Sequence, residues 1–148
     1  MNNFCKNFIS NFLRCGLTGW CLEICFTALG KPPAGNRELT GHTSLWMFPI
    51  YGCAVFLSPI SILLKKQSVW VRGLSYMSLI FSAEYLSGTL LKKHKCCPWD
   101  YSHSPFHIHG LIRLDYAPFW FGTGLLFEHL LKHRPPHTAT KSNTFFMH

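Results

Sequence analysis

Four apolar runs, each closed by basic or helix-breaking residues, constrain this chain more than any other feature. They are "FLRCGLTGWCLEICFTALG" (12–30), "TSLWMFPIYGCAVFLSPISILL" (43–64), "VWVRGLSYMSLIFSAEYLSGTLL" (69–91) and "LDYAPFWFGTGLLFEHLL" (114–131). A hydrocarbon core takes about 20 residues to cross as a helix. Charged residues make up 14% of the chain, against roughly 25% in soluble domains. Lys65 and Lys66 end the second run, Lys92, Lys93 and Lys95 the third, and Lys132 with Arg134 the fourth. The expected fold is all-α: a polytopic four-helix transmembrane bundle, one domain over residues 1–134, with an interfacial or re-entrant loop between the third and fourth helices. From Pro135 to His148 the composition is polar and disorder is expected.

The first run does not read as a cleaved signal, because it carries Glu23 and Trp20 and lacks a small-x-small cleavage site. Helix breakers in "GKPPAGN" end it, and Pro49 and Pro59 are expected to kink the second run. The net charge of +8 sits at the ends of apolar runs, where it meets lipid headgroups. A basic face with interleaved aromatics, as nucleic acid requires, is not formed. Seven cysteines, four of them inside apolar runs, do not make a disulfide framework. With four crossings, Lys and Arg number eight on the side of both termini and six opposite. That bias points the termini to the cytoplasm, in the cell membrane.

Three runs carry a carboxylate at depth: Glu23, Glu84 and Glu128. An ion in mid-bilayer costs on the order of 2.5–3.5 kcal/mol on insertion scales, so such a group turns inward and finds a partner. Each shares a helix face with a glycine four residues away (Gly19, Gly88, Gly124), and glycine lets helices approach closely. The three acids are therefore expected to converge on one interior. They serve there either as hydrogen-bonding links between helices or as a buried polar ligand site.

Between the last two runs lies "CCPWDYSHSPFHIHG" (96–110). Cys96, Cys97, His103, His107 and His109 are the residue types of a zinc site. His103-x₃-His107 has the right spacing, but Cys96-Cys97 lacks the intervening residues such sites use. The alternative is a turn: Pro98 fixes its own φ and Asp100 accepts backbone N–H groups as an Asx-turn or N-cap. Trp99 and Tyr101 suit the membrane interface, into which Phe106, Ile108, Leu111 and Ile112 are expected to dip. The loop then caps the bundle, with no metal and no cofactor.

"CPWDYS" (97–102) and "GLIRLDYAPFWFGTGLLFE" (110–128) resemble the matching segment of the transmembrane protein 229 family, as do "GWCLEICFTAL" and "SLWMFPIYG". The same pattern is similar to bacterial membrane proteins labelled type IV ABC-transporter permeases. The resemblance implies a multi-pass membrane protein in which Glu23, Glu84, Trp99, Asp100, Tyr101, Gly110 and Glu128 match the family, without a defined activity. Its loop motif is Cys97, Pro98, Trp99, Asp100, Tyr101, Ser102 and Gly110. The chain has no G-x-x-x-x-G-K-[ST] loop, so an ATP-driven role requires a separate ATPase. Three readings follow. One is a transport-related or ligand-binding membrane component; another is a structural or regulatory partner of a second membrane protein. Last comes an intramembrane enzyme using a glutamate, Asp100 and His109, for which no nucleophile–base spacing is present and no catalytic residue is assigned.

Overall fold

The computed structural model describes residues 3–30 and 39–133. The tail expected from Pro135 and the breaker stretch at 31–36 lie outside the described residues. Four helical rods stand on the four apolar runs. α1 spans Asn3–Gly30. The second rod is α2 (Met47–Gly52), a 3-10 turn (Cys53–Phe56) and α3 (Leu57–Leu63). α4 spans Val69–Lys93 and α5 Ala117–Lys132.

Each boundary has a local cause. Ser68 caps α4, its hydroxyl accepting the Val71 N–H. Pro118 sits in the first turn of α5, where its missing N–H is not needed. In the second rod, Pro49 likewise occupies the first turn of α2. Pro59 removes the donor that would bond the Val55 carbonyl, and the chain tightens to 3-10 geometry across Cys53–Phe56.

α1 packs chiefly on α2, and α4 on α5, with further contacts from α1 and α3 to α5. The core is Cys15, Tyr51, Val55, Leu57, Tyr76, Trp120, Phe127 and Leu131. Glycines set the closest approaches: a Cβ on Gly19 would overlap the Tyr51 ring, and one on Gly124 the Tyr76 side chain. Arg14 reaches across to the His133 carbonyl, tying the first half of α1 to the end of α5.

Large apolar side chains on the outside outnumber those inside, among them Phe56, Ile62, Leu63, Trp70, Leu86 and Leu90. Cys21, Cys25 and Cys53 belong to this outer face, and only Cys15 of the four cysteines inside apolar runs is buried.

One helix among those described, over Asn3–Leu29, is long and apolar enough to cross a membrane by length and composition. The second rod, Met47–Leu63, is apolar but shorter. α4 has the length, but Arg72, Glu84 and its serines dilute its apolar character. α5 has 16 residues, or ~24 Å. Four rods thus stand on the four apolar runs, and among the described helices the first alone has the length and apolar character of a membrane span.

The loop is not wholly irregular. β1 (His107–Ile108) pairs antiparallel with β2 (Ile112–Arg113), an addition to the all-α expectation. His109 and Gly110 turn the chain with φ of 52° and 70°. Three residues, His109, Gly110 and Leu111, join the paired Ile108 and Ile112, a hairpin loop length in which a positive-φ glycine is common.

Candidate functional site

α1 runs toward the loop end of the bundle, and so does α4, which enters the loop directly. Glu23 lies seven residues before the end of α1 and Glu84 nine before the end of α4. At 1.5 Å per residue both sit ~10–14 Å below the loop end. The structure brings them to the wall of one cavity of about 250 Å³.

Thr43 and Tyr51 stand beside Glu23. Tyr101 and Trp120 stand beside Glu84. None of these reaches full hydrogen-bond geometry: Glu23 Oε2, Glu84 Oε2 and Trp120 Nε1 are buried and unpartnered among the described residues. Trp120 is only 7% exposed. Burial raises the Tyr101 phenol above its ordinary pKa, so it faces the cavity as a hydroxyl donor. Seven of the lining side chains are aromatic, including Phe26, Tyr116 and Phe119. On the α1 side, Thr27 Oγ1 accepts the His42 N–H at 2.9 Å and pins the segment before α2 against the helix.

The loop closes this chamber. Pro98, Trp99 and Tyr101 line it directly. Trp99 is held by its indole N–H, which donates to the Leu111 carbonyl at 3.0 Å, and Tyr101 by its backbone N–H to the Gly110 carbonyl at 2.9 Å. Asp100 Oδ1 accepts both the N–H and the hydroxyl of Ser102, at 3.0 and 2.5 Å. These two donors hold the Asp100 carboxyl below the usual carboxylate range. Gly110 is buried against this turn, and a Cβ there would meet Ser102 Oγ and Asp100 Oδ1. Cys97 is half-buried and donates to the Trp99 carbonyl. Arg113 clamps the Asp115 carboxylate and lies 4.4 Å over the Tyr116 ring.

Glu128 is not part of the chamber, contrary to the expectation of a shared interior for all three acids. It is 2% exposed and bonded to Arg72 at 2.7 Å and to Lys132. The reason is axial. α5 runs away from the loop, so Glu128, eleven residues into it, lies ~16 Å down, near the end where α4 begins. Arg72, three residues past the start of α4, sits at the same level. Sharing a face with glycine places a side chain toward the interior but leaves its depth open; counting residues from each helix end was the signal that separates the acids. Arg72 was not among the residues singled out from the sequence.

Leu111 and Ile112 are also placed differently from expectation. They are buried in the protein, whereas Phe106 and Ile108 are exposed. Among the described residues no group of three or more His, Cys, Asp or Glu side chains is arranged to hold a metal ion. Two of the three loop histidines have other partners. His107 Nδ1 accepts the Gly110 N–H at 3.0 Å, and His109 Nδ1 pairs with the Tyr85 hydroxyl at 2.9 Å. Cys96 is exposed, its thiol directed at the His94 carbonyl. Asp100 and His109, the acid–base groups of the enzymatic alternative, do not line the chamber.

A loop closed by Asp100 has a measurable consequence. Asp100→Ala is expected to lower the melting temperature and His103→Ala to leave it unchanged. Since the folded-state pKa of Asp100 is lowered, its contribution is full at neutral pH and fades as pH falls through that value. Wild type and Asp100→Ala should therefore converge in acid. Chelator treatment is expected to have no effect. A chelator-induced drop restored by zinc would reinstate the metal reading of the cysteines and histidines.

A family model described as "Putative ABC-transporter type IV" matches residues 10–147. No solved structure matches the chain.

Proposed function

The chain belongs to this ABC-transporter-related family, and from that premise we propose that it is a four-pass membrane component binding a small ligand in the chamber beneath the loop. The chamber carries the reading: it presents two carboxylate oxygens and an indole N–H with no partner among the described residues. A buried polar atom without a partner is costly, and a ligand that supplies one offsets that cost.

Two features support the membrane placement of all four rods in one domain. The apolar outer face is too extensive for water. On α4 the outward hydroxyls of Ser78 and Ser82 donate to carbonyls four residues back, which satisfies them without solvent. Both termini then lie in the cytoplasm of the cell membrane, and ATP hydrolysis comes from a separate ATPase. The finer likeness to the transmembrane protein 229 family rests on the loop and helix motifs alone.

Cysteines introduced at Gln67 and His103, with the exposed native cysteines changed to serine, should react with impermeant reagent from opposite sides. Reaction from one side defeats the four-crossing topology. For the chamber, mass spectrometry of protein purified in mild detergent should release a stoichiometric small molecule, lost in a Thr43→Trp variant that fills the cavity. A stoichiometric ATPase in the same preparation supports the transport role. An empty chamber together with a stoichiometric integral partner would turn the assignment to a structural or regulatory subunit.

A further inference from the structure

A second cavity of about 340 Å³ runs between the second rod and α4. It is walled by apolar side chains such as Ile50, Leu57, Ile60, Leu79, Ile80 and Leu86. It abuts the polar chamber, with which it shares a wall of Met47, Tyr51, Glu84, Trp99 and Trp120. Its rim is open to the outer apolar face, where Phe56 is 60% and Leu86 65% exposed. The Ser82 hydroxyl on its wall is already engaged with the Ser78 carbonyl. Apart from Tyr51, Glu84, Trp99 and Trp120 on the shared wall, the groove is walled almost wholly by apolar side chains.

We infer that chamber and groove form one site for a single-chain amphiphile with a positively charged ammonium head. The inference rests on the chamber reading above and names its ligand class. The head fits by charge: Glu23 and Glu84 line one small space, and a cation there supplies the counter-charge that a buried carboxylate requires. Among the described residues lining the chamber there is neither Lys nor Arg, and His42 is the one side chain there able to carry a positive charge. It fits by shape and polarisability as well, since aromatic walls attract ammonium groups through their ring faces. An anionic head would meet both carboxylates, so the site discriminates by repulsion as well as attraction. The tail follows from adjacency: across the shared Trp99 and Trp120 lies the apolar groove, which takes an alkyl chain and leads to the outer surface between the rods.

Equilibrium dialysis of radiolabelled tetradecyltrimethylammonium against neutral-lipid nanodiscs, with and without the protein, tests this. Saturable binding of one molecule per chain is expected. The primary tetradecylamine should also bind, and comparing the two separates a quaternary from a primary head. Tetradecyl sulfate and the chainless tetramethylammonium ion should each bind at least about tenfold more weakly, the scale of one charge-assisted contact or more. The Glu23→Gln/Glu84→Gln double variant should lose about the same factor for the cation. Comparing heads on wild-type protein does not depend on any variant folding. Equal binding of the sulfate, or an unchanged affinity in a double variant with a wild-type circular dichroism spectrum, overturns the inference. The two readings fail separately. A released molecule that is anionic or chainless, yet lost in Thr43→Trp, leaves the chamber assignment intact and removes the ammonium amphiphile. A molecule retained in Thr43→Trp removes both.

Discussion

Replacing Arg72 with methionine is expected to lower stability by about 2–4 kcal/mol, even though its side chain is 22% exposed. Glu128, its partner, is exposed by only 3% on the side-chain scale. Removing one member of a buried pair leaves a charge without compensation, a loss of roughly 3–5 kcal/mol when burial is complete. Here the value is trimmed by the exposure of Arg72 and by Lys132, which still reaches the other carboxylate oxygen. Lys132→Met should matter far less, under about 1 kcal/mol, because that side chain is 44% exposed. The informative variant is the pair Arg72→Met with Glu128→Leu. With neither charge left, most of the stability should return. Denaturant unfolding in mixed micelles reads all three. If the double variant is no more stable than Arg72→Met alone, the orphaned charge is not what destabilises the single variant.

Gly124→Ala and Gly122→Ala, two residues apart on α5, should differ in sign. A Cβ on Gly124 would overlap the Tyr76 side chain at its own Cβ, close to backbone that cannot swing aside. Overpacking of this kind costs about 1–3 kcal/mol. Tyr76 is fully buried, so relief would require α4 and α5 to separate. A Cβ on Gly122 meets nothing within 4 Å, and alanine there gains helix propensity of up to ~1 kcal/mol. The same unfolding measurement compares them. Equal effects would show that helix approach at Gly124 does not limit stability. Gly19→Ala, against the Tyr51 ring, should resemble Gly124→Ala and would also disturb the chamber, because Tyr51 lines it.

The chain announces its four rods plainly, because an apolar run with basic or breaker residues at its end can be satisfied locally. Helix limits depend on caps and prolines a few residues away, as Ser68 and Pro118 illustrate. The Asx-turn at Asp100 was legible for the same reason, its acceptor and donors lying two residues apart. So were the helix contacts at two of the three glycine faces: Gly19 meets Tyr51 of α2 and Gly124 meets Tyr76 of α4, whereas Gly88 meets Trp99 and Leu111 of the loop. What needed the tertiary fold was pairing across long separations. Arg72 and Glu128 are 56 positions apart; their meeting depends on the antiparallel packing of α4 and α5, which sets both at one depth. Glu23 and Glu84 face each other's space only because α1 and α4 reach the loop end together. Leu111 and Ile112 were indistinguishable in composition from Phe106 and Ile108, and the hairpin decided which pair faces the bundle. A residue type encodes what partner it requires. Only the packing of helices selects which partner, among several at the right face, stands at the right height.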